Sequence, residues 1–328
     1  MEALRHDGGL GLARVRRRVR AQVTSARPYR GRFAPSPTGP LHFGSLIAAV
    51  ASFCDARSHG GEWLLRIEDV DAPRTRSGAI GDIVTALTEY GFEWDQAVQR
   101  QSSRLALYER ALDDLRAGGI AYACACTRKD LEHAPLGAGG ERIYPGTCRG
   151  GIATGRETRA WRVCVDAERI GFRDRLQGWQ EQDLALDVGD FIVKRADGLF
   201  AYQLAVVVDD AEQRITHVVR GADLLASTAR QIWLQRKLGL TTPAYLHHPI
   251  VIDAHGEKLS KQTRAPPLPR DPLPALLAAW RFLDQPMPPS PPVTVGEFWR
   301  WAHGAWNARK LPPVAMLPSP RIAGSVAV

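Results

Sequence analysis

No stretch of this 328-residue chain approaches the roughly 18 consecutive apolar residues that a membrane span requires. Near the start, "LARVRRRVRAQV" breaks each apolar pair with arginine, so no secretory core is read there. Cysteine is scarce, and its five copies are an odd number, which speaks against a disulfide framework. Internal repeats are absent, and no surface stripe marks an interface. These absences lead us to expect a soluble, cytoplasmic protein, most simply a monomer, with no membrane partner. Charge of one sign is also lacking over most of the chain. The formal +8 tempts one towards nucleic acid, but residues 1–31 hold eight arginines against Glu2 and Asp7. That leaves 35 basic against 33 acidic residues for the rest, a nearly neutral body with a basic arm.

What is present is an ordered alternation of patterns. After the arm (1–30), "GRFAPS" reads as a short strand and "LIAAVASFCDARSHGG" as a helix closed by Gly60 and Gly61. "EWLLRIEDVD" is a buried strand ending in carboxylates, followed by two amphipathic helices in "SGAIGDIVTALTEYGF" and "SSRLALYERALDDLRAGG". This β-α-β-α order predicts an α/β fold with a doubly wound parallel sheet. Residues 31–120 form its first half. Cysteine-bearing, irregular sequence over 121–180 reads as an α+β insertion. Residues 181–265 return to the sheet, with "FAYQLAVVV" taken as a strand and "ADLLASTARQIWLQRKLG" as a helix. The proline-dense 266–328 offers one helix, "ALLAAWRFL", and too little apolar periodicity for a large independent domain.

Three stretches carry chemistry. In "RFAPSPTGPLHFGSL", Pro35, Pro37 and Pro40 force an extended turn out of a strand, while Gly39 and Gly44 allow close approach to the backbone. His42 then falls at a helix N-terminus, where free N–H groups and the dipole favour anions. "HGEKLSKQ" places Lys258 and Lys261 three apart in a glycine-preceded loop, a cationic clamp suited to polyphosphate. Cys124-x-Cys126 and, 17 residues on, Tyr144-x-x-x-Cys148 put three thiols beside a fourth donor, a set suited to tetrahedral zinc. Gly137, Gly139 and Gly140 let that loop fold back. Spacing alone leaves His133 a rival to Tyr144 as fourth ligand. Cys54 and Cys164 sit in apolar patterns and read as core.

With these residues in view, the chain resembles the class I aminoacyl-tRNA synthetases. "PSPTGPLHFGS" is similar to their HIGH signature and "KLSKQ" to their KMSKS loop. "RFAPSPTG", "LRIEDVDAPR" and "YQLAVVVDDAEQRITHVVRGADLL" look like the glutamyl branch, so the resemblance runs from about residue 31 to 265. Only about 60 proline-rich residues follow, where a full glutamyl-tRNA synthetase continues into a helical anticodon-binding region. The best fit is the truncated branch that activates L-glutamate with ATP and transfers it to the queuosine base of the tRNA(Asp) anticodon. Rival readings are a truncated enzyme charging a tRNA 3′ end, or an inactive RNA-binding paralogue.

The resemblance implies roles residue by residue. Arg32 and Arg220 would clamp carboxylate oxygens, and Glu68 would hold the α-ammonium. Tyr202 would give a hydroxyl and a flat wall, with Phe33, Ala34, Pro35 and Ser36 completing the glutamate pocket. His42, Gly44, Ser45, Lys258 and Lys261 would bind ATP, accompanied by Mg²⁺, with His42 and Lys261 neutralising charge in the transition state. One structural zinc would sit on Cys124, Cys126, Tyr144 and Cys148, since the family's C-x-C…Y-x-x-x-C set favours Tyr144 over His133. Ser45, Leu259 and Gln262 depart from the family's motif residues, and each is expected to adjust rate and not abolish it.

Overall fold

The computed structural model describes residues 28–137, 142–253, 255–259 and 265–320. The arginine arm up to residue 27, Gly139, Gly140, Lys261 and Gln262 lie outside them.

Strand Arg30–Phe33 (β1) leads through the proline turn into helix Phe43–Ser58 (α1) and back to strand Glu62–Ile67 (β2). Helix Ala79–Glu89 (α2), strand Gln99–Arg100 (β3) and helix Leu105–Ala117 (α3) follow. β1, β2 and β3 pair in parallel. The insertion holds strands Ala121–Cys124 (β4) and Ala160–Val163 (β5), then the hairpin Arg169–Asp174 (β6) and Gly178–Asp183 (β7). After the short helix Leu184–Asp187 (α4), strand Ile192–Lys194 (β8) joins β5 antiparallel. Helix Tyr202–Glu212 (α5), strand His217–Gly221 (β9), helix Thr228–Lys237 (α6) and strand Ala244–His248 (β10) complete the α/β part. β9 and β10 are parallel, and the Thr216 N–H bonds the Arg30 carbonyl at 2.9 Å, which sets β9 beside β1. Last come strand Ile250–Ile252 (β11), helices Pro272–Phe282 (α7) and Val295–Ala305 (α8), and strand Met316–Pro318 (β12), parallel to β11.

Both faces of the parallel sheet are covered, as its strands predict. Along β2, Trp63, Leu65 and Ile67 enter one core with α1, α2, α7 and α8, while Leu64 enters a second core with α3, α5 and α6. β9 divides likewise, with Val219 on the first side and Val218 on the second. Strands buried on two sides need no polar alternation, which is why they read as apolar runs. Helix α1 runs buried between sheet and C-terminal helices, and its Ala49, Ala51, Ser52 and Ala56 let both neighbours approach. It ends where Gly60 adopts φ +61° and the Gly61 N–H bonds the Ala56 carbonyl at 2.9 Å.

Two expectations are corrected. "FAYQLAVVV" is mostly helical, because α5 starts at Tyr202. Leu204 to Asp210 are all buried, so no helical stripe separates apolar from polar positions, and the valines bias the pattern towards strand. The tail holds a second helix, α8, whose Phe298, Trp299 and Ala302 are buried. It does not stand apart: the Trp299 indole donates to the Tyr90 carbonyl at 2.8 Å, and the Trp306 indole to Asp55 at 3.2 Å. Among the described residues no helix is long and apolar enough to cross a membrane.

Candidate active site

A cleft of about 990 Å³ opens at the carboxyl ends of β1, β2 and β9. That is where ligands sit on open parallel sheets, because the chain reverses its order there. Arg32, Phe33, Ala34, Pro35, Ser36, His42, Gly44, Ser45, Glu68, Tyr202, Arg220 and Lys258 all line it. Every described residue that the sequence assigned to glutamate or ATP therefore faces one space.

The proline turn is fastened to its surroundings. The Glu68 N–H bonds the Pro35 carbonyl at 3.0 Å, and the Arg76 N–H bonds the Pro37 carbonyl at 2.9 Å. Gly39, at φ +149°, takes a backbone region that a side chain would oppose. His42 is the residue before the first turn of α1, and Gly44 and Ser45 lie in that turn, with no side chain capping it. The lysine segment comes to the same place. Residues 250–253 and 255–259 run antiparallel, with Ile252 bridged to Lys258 and the Leu259 N–H bonding the Val251 carbonyl at 2.8 Å. A Cβ on Gly44 would lie 3.1 Å from the His42 ring and 3.4 Å from the Leu259 carbonyl. Lys258 reaches Asp223 across the cleft wall, and Lys261 lies beyond the described residues.

The floor is a set of buried charges. Arg66, fully buried on β2, bonds Asp210 at 2.8 Å, Gln213 at 2.6 Å and Glu68 at 3.3 Å. Arg32 donates from Nε to Asp210 at 3.3 Å. Burial raises the Glu68 pKa above the usual carboxylate range, against the pull of Arg66 and Arg32. For Asp210 burial acts in the same direction, but Arg32 and Arg66 outweigh it and hold its pKa low. Arg220 differs from both arginines. It is 5% exposed, yet it donates to His247 Nε2 at 3.0 Å, the Thr228 hydroxyl at 3.0 Å, the Tyr202 hydroxyl at 3.3 Å and the Leu224 carbonyl at 3.4 Å. All four acceptors are neutral or carry no formal charge here, so the guanidinium keeps its charge for something else. Asp210 is near enough for the Arg220 charge to lower its pKa, but that carboxylate bonds Arg66 and Arg32, so no carboxylate among the described residues bonds Arg220 itself.

Sequence reasoning gave no role to Asp209, Asp210, Arg66 or Gln101, which join this floor. Their signal was an Asp-Asp pair inside the apolar run "AVVVDDAE", where only a buried partner explains two acids. It also overlooked Asp71, Arg74 and Arg195 at the mouth, where both arginines pair with Asp71.

Away from the cleft, Cys124, Cys126 and Cys148 have sulfurs within 4.8 Å of one another, two of the three residues being buried. The Tyr144 hydroxyl lies 3.4 Å from Cys124 Sγ and 3.3 Å from Cys126 Sγ. Among the described residues no histidine or carboxylate joins this group, and His133 is exposed. Gly137 is needed where it stands, because a Cβ there would meet the Asp187 carbonyl at 2.2 Å.

Residues 29–266 match the family of tRNA synthetases class I (E and Q), catalytic domain. The chain belongs to this family of class I synthetases. Within it, the chain is 56% identical over 290 residues to the Glutamyl-Q tRNA(Asp) synthetase of Aromatoleum aromaticum, covering 88% of this chain and 92% of that protein. It is 55% identical over 299 residues to the Glutamyl-Q tRNA(Asp) synthetase of Dechloromonas aromatica, covering 89% and 99%. The fold is shared with the glutamate-tRNA synthetase of Elizabethkingia anophelis, at a TM-score of 0.74 and 24% identity over 88% of this chain and 68% of that one.

Proposed function

We propose that this enzyme activates L-glutamate with ATP, without tRNA, and passes the glutamyl group to the queuosine base of the tRNA(Asp) anticodon. The observation that carries the proposal is Arg220, a buried cation whose hydrogen bonds all go to acceptors without formal charge. Glutamate supplies what it lacks: two carboxylates against one ammonium. Arg220 and Arg32 take carboxylate oxygens, Glu68 takes the ammonium, and Tyr202 with the backbone of residues 33–36 closes the pocket.

The α-carboxylate oxygen then attacks the α-phosphorus of ATP, the bond to the β-phosphate oxygen breaks, and pyrophosphate leaves. Negative charge gathers on the phosphoryl oxygens. His42, the first turn of α1 at Gly44 and Ser45, and Lys258 would balance it, with Lys261 of the same motif assigned that role from the sequence. Mg²⁺ accompanies the triphosphate. A nucleophile on the queuosine base next attacks the acyl carbon, and AMP leaves.

The cysteine cluster fits a structural zinc. Tetrahedral Zn–S bonds of about 2.3 Å place sulfurs about 3.8 Å apart, and Cys126 and Cys148 stand at 3.7 Å. Cys124, Cys126, Cys148 and Tyr144 would hold the ion and stiffen the insertion that meets the RNA.

ATP–pyrophosphate exchange driven by glutamate in the absence of tRNA tests activation directly, and exchange is expected. Labelled glutamate should then load onto queuosine-bearing tRNA(Asp) whose 3′-terminal adenosine has been removed. Loss of loading on the shortened tRNA would mean 3′-end charging instead, and no exchange at all would mean an inactive paralogue.

A further inference from the structure

We propose that His247, held in one tautomer by Asp174, is the positioning residue that aims Arg220 at the substrate's carboxylate. The inference rests on the proposed glutamate site and adds two residues that do not line the cleft. A guanidinium Nε carries a hydrogen and has no lone pair to offer at any working pH. Arg220 Nε lies 3.0 Å from His247 Nε2, so that ring nitrogen must be the acceptor. The ring proton is then on Nδ1, which stands 2.7 Å from Asp174 Oδ2. Asp174 is itself pinned, because its Oδ1 accepts the N–H groups of Leu176 at 3.0 Å and Gln177 at 2.8 Å.

Every charged or titratable group that the structure places against the imidazole fits this arrangement. Asp174 comes from β6 and Arg220 from β9, while Tyr245 and His248 share its own strand. From α6 the Thr228 hydroxyl stands 3.2 Å from Nε2 and accepts from Arg220 at 3.0 Å. Burial, with the Arg220 charge, holds the His247 pKa down to about 4 against the pull of Asp174, so the ring is neutral in the working range. A carboxylate in its place would orient Arg220 equally well but cancel its charge. A neutral acceptor orients the guanidinium and leaves the full charge to face the substrate.

The test begins with glutamate-dependent exchange by the parent enzyme. His247→Leu should then raise the KM for glutamate about tenfold or more, the effect of losing a buried bond to a charged group. Its kcat and its KM for ATP should stay within about twofold of the parent. His247→Gln offers one amide oxygen to Arg220 and one amide N–H to Asp174, and should return the glutamate KM to within about threefold. Long-range proton–nitrogen NMR of the histidine rings in the parent should show His247 protonated at Nδ1 only. An unchanged glutamate KM in His247→Leu overturns the inference, as does a loss shared equally by kcat and both KM values. So does an Nε2–H ring in the parent, which decides the matter if the leucine variant fails to fold. Absence of exchange by the parent is a different result: it removes the glutamate site and the inference with it.

Discussion

Glu68 shows how one side chain ties burial to chemistry. Its carboxyl is nearly enclosed and its pKa is raised, so the free enzyme holds a proton there at a pH where an exposed glutamate has lost it. An α-ammonium needs the ionised form, so binding glutamate must expel that proton. The sign follows: affinity is full above the raised pKa and falls as pH drops through it. The KM for glutamate in tRNA-free exchange should therefore climb on acidification, while the KM for ATP should not. Glu68→Gln should flatten that dependence and raise the glutamate KM roughly 100-fold, the scale of a lost charge-assisted pair. A pH profile that keeps its slope in the glutamine variant would remove Glu68 from the ammonium site. Gly44 offers a second single-residue test. Alanine inside a helix is normally better than glycine by up to about 1 kcal/mol, so stability should hold or rise in Gly44→Ala. Its new Cβ, 3.1 Å from the His42 ring, should instead raise the KM for ATP several-fold. A parallel loss of melting temperature would mean that the glycine serves the fold and not the nucleotide. At this scale the sequence was most legible where chemistry is written in short motifs, as in the proline turn. It was least legible at Asp174 and His247, which are brought together only where the end of β6 packs against β10. Nothing in "RIGFRD" or "YLHHP" taken singly announces the contact.

Among the elements, α1 is the one on which most others depend. It carries Gly44, at the end of the cleft proposed for the triphosphate, and, three turns later, presents Asp55 to both the sheet and the tail. Asp55 is wholly buried and accepts from Tyr29 at 2.5 Å, Arg175 at 2.5 Å and Trp306 at 3.2 Å. One carboxylate thus joins the approach to β1, the bend after β6 and the end of α8. Burial opposes its charge, but Arg175, with the Tyr29 and Trp306 bonds, wins and holds its pKa low. Asp55→Ala should cost about 3 kcal/mol, because Arg175 loses its carboxylate partner. Chemical denaturation of the two proteins measures it, and a difference under about 1 kcal/mol would deny Asp55 this linking role. The depressed pKa also fixes the sign with pH. Asp55's contribution is present above the unfolded carboxylate pKa and is lost as pH falls through the folded one. Element type was readable for α1, α2 and α3, each closed by glycine, and in α2 and α3 a buried face also differs from an exposed one. It was unreadable for α5, buried from Leu204 to Asp210, and for α8, whose Phe298 packs against Trp280 of α7 across proline-rich sequence that shows no periodicity.

Over the whole molecule, the proposed function asks for two jobs. Activation as proposed would draw on the sheet, α1 and Lys258, whereas recognition of a folded RNA would need surface beyond the cleft. The insertion between α3 and β8 contributes no residue to the cleft wall, and its cysteine cluster lies apart from it. A tetrahedral ion there would hold β4, which carries Cys124, to the loop carrying Tyr144 and Cys148, and so fix the insertion's shape without touching the reacting atoms. Binding free energy at such a site is folding free energy for the segment it closes. Stripping metal with a chelator, or making Cys126→Ala, should therefore leave glutamate-dependent exchange within about twofold. Transfer to queuosine-bearing tRNA(Asp) should fall about tenfold or more, and added zinc should restore it in the stripped parent but not in the variant. Equal loss of exchange and transfer would place the cluster in support of the whole catalytic body. No loss of either would leave three neighbouring thiols with no metal-dependent task.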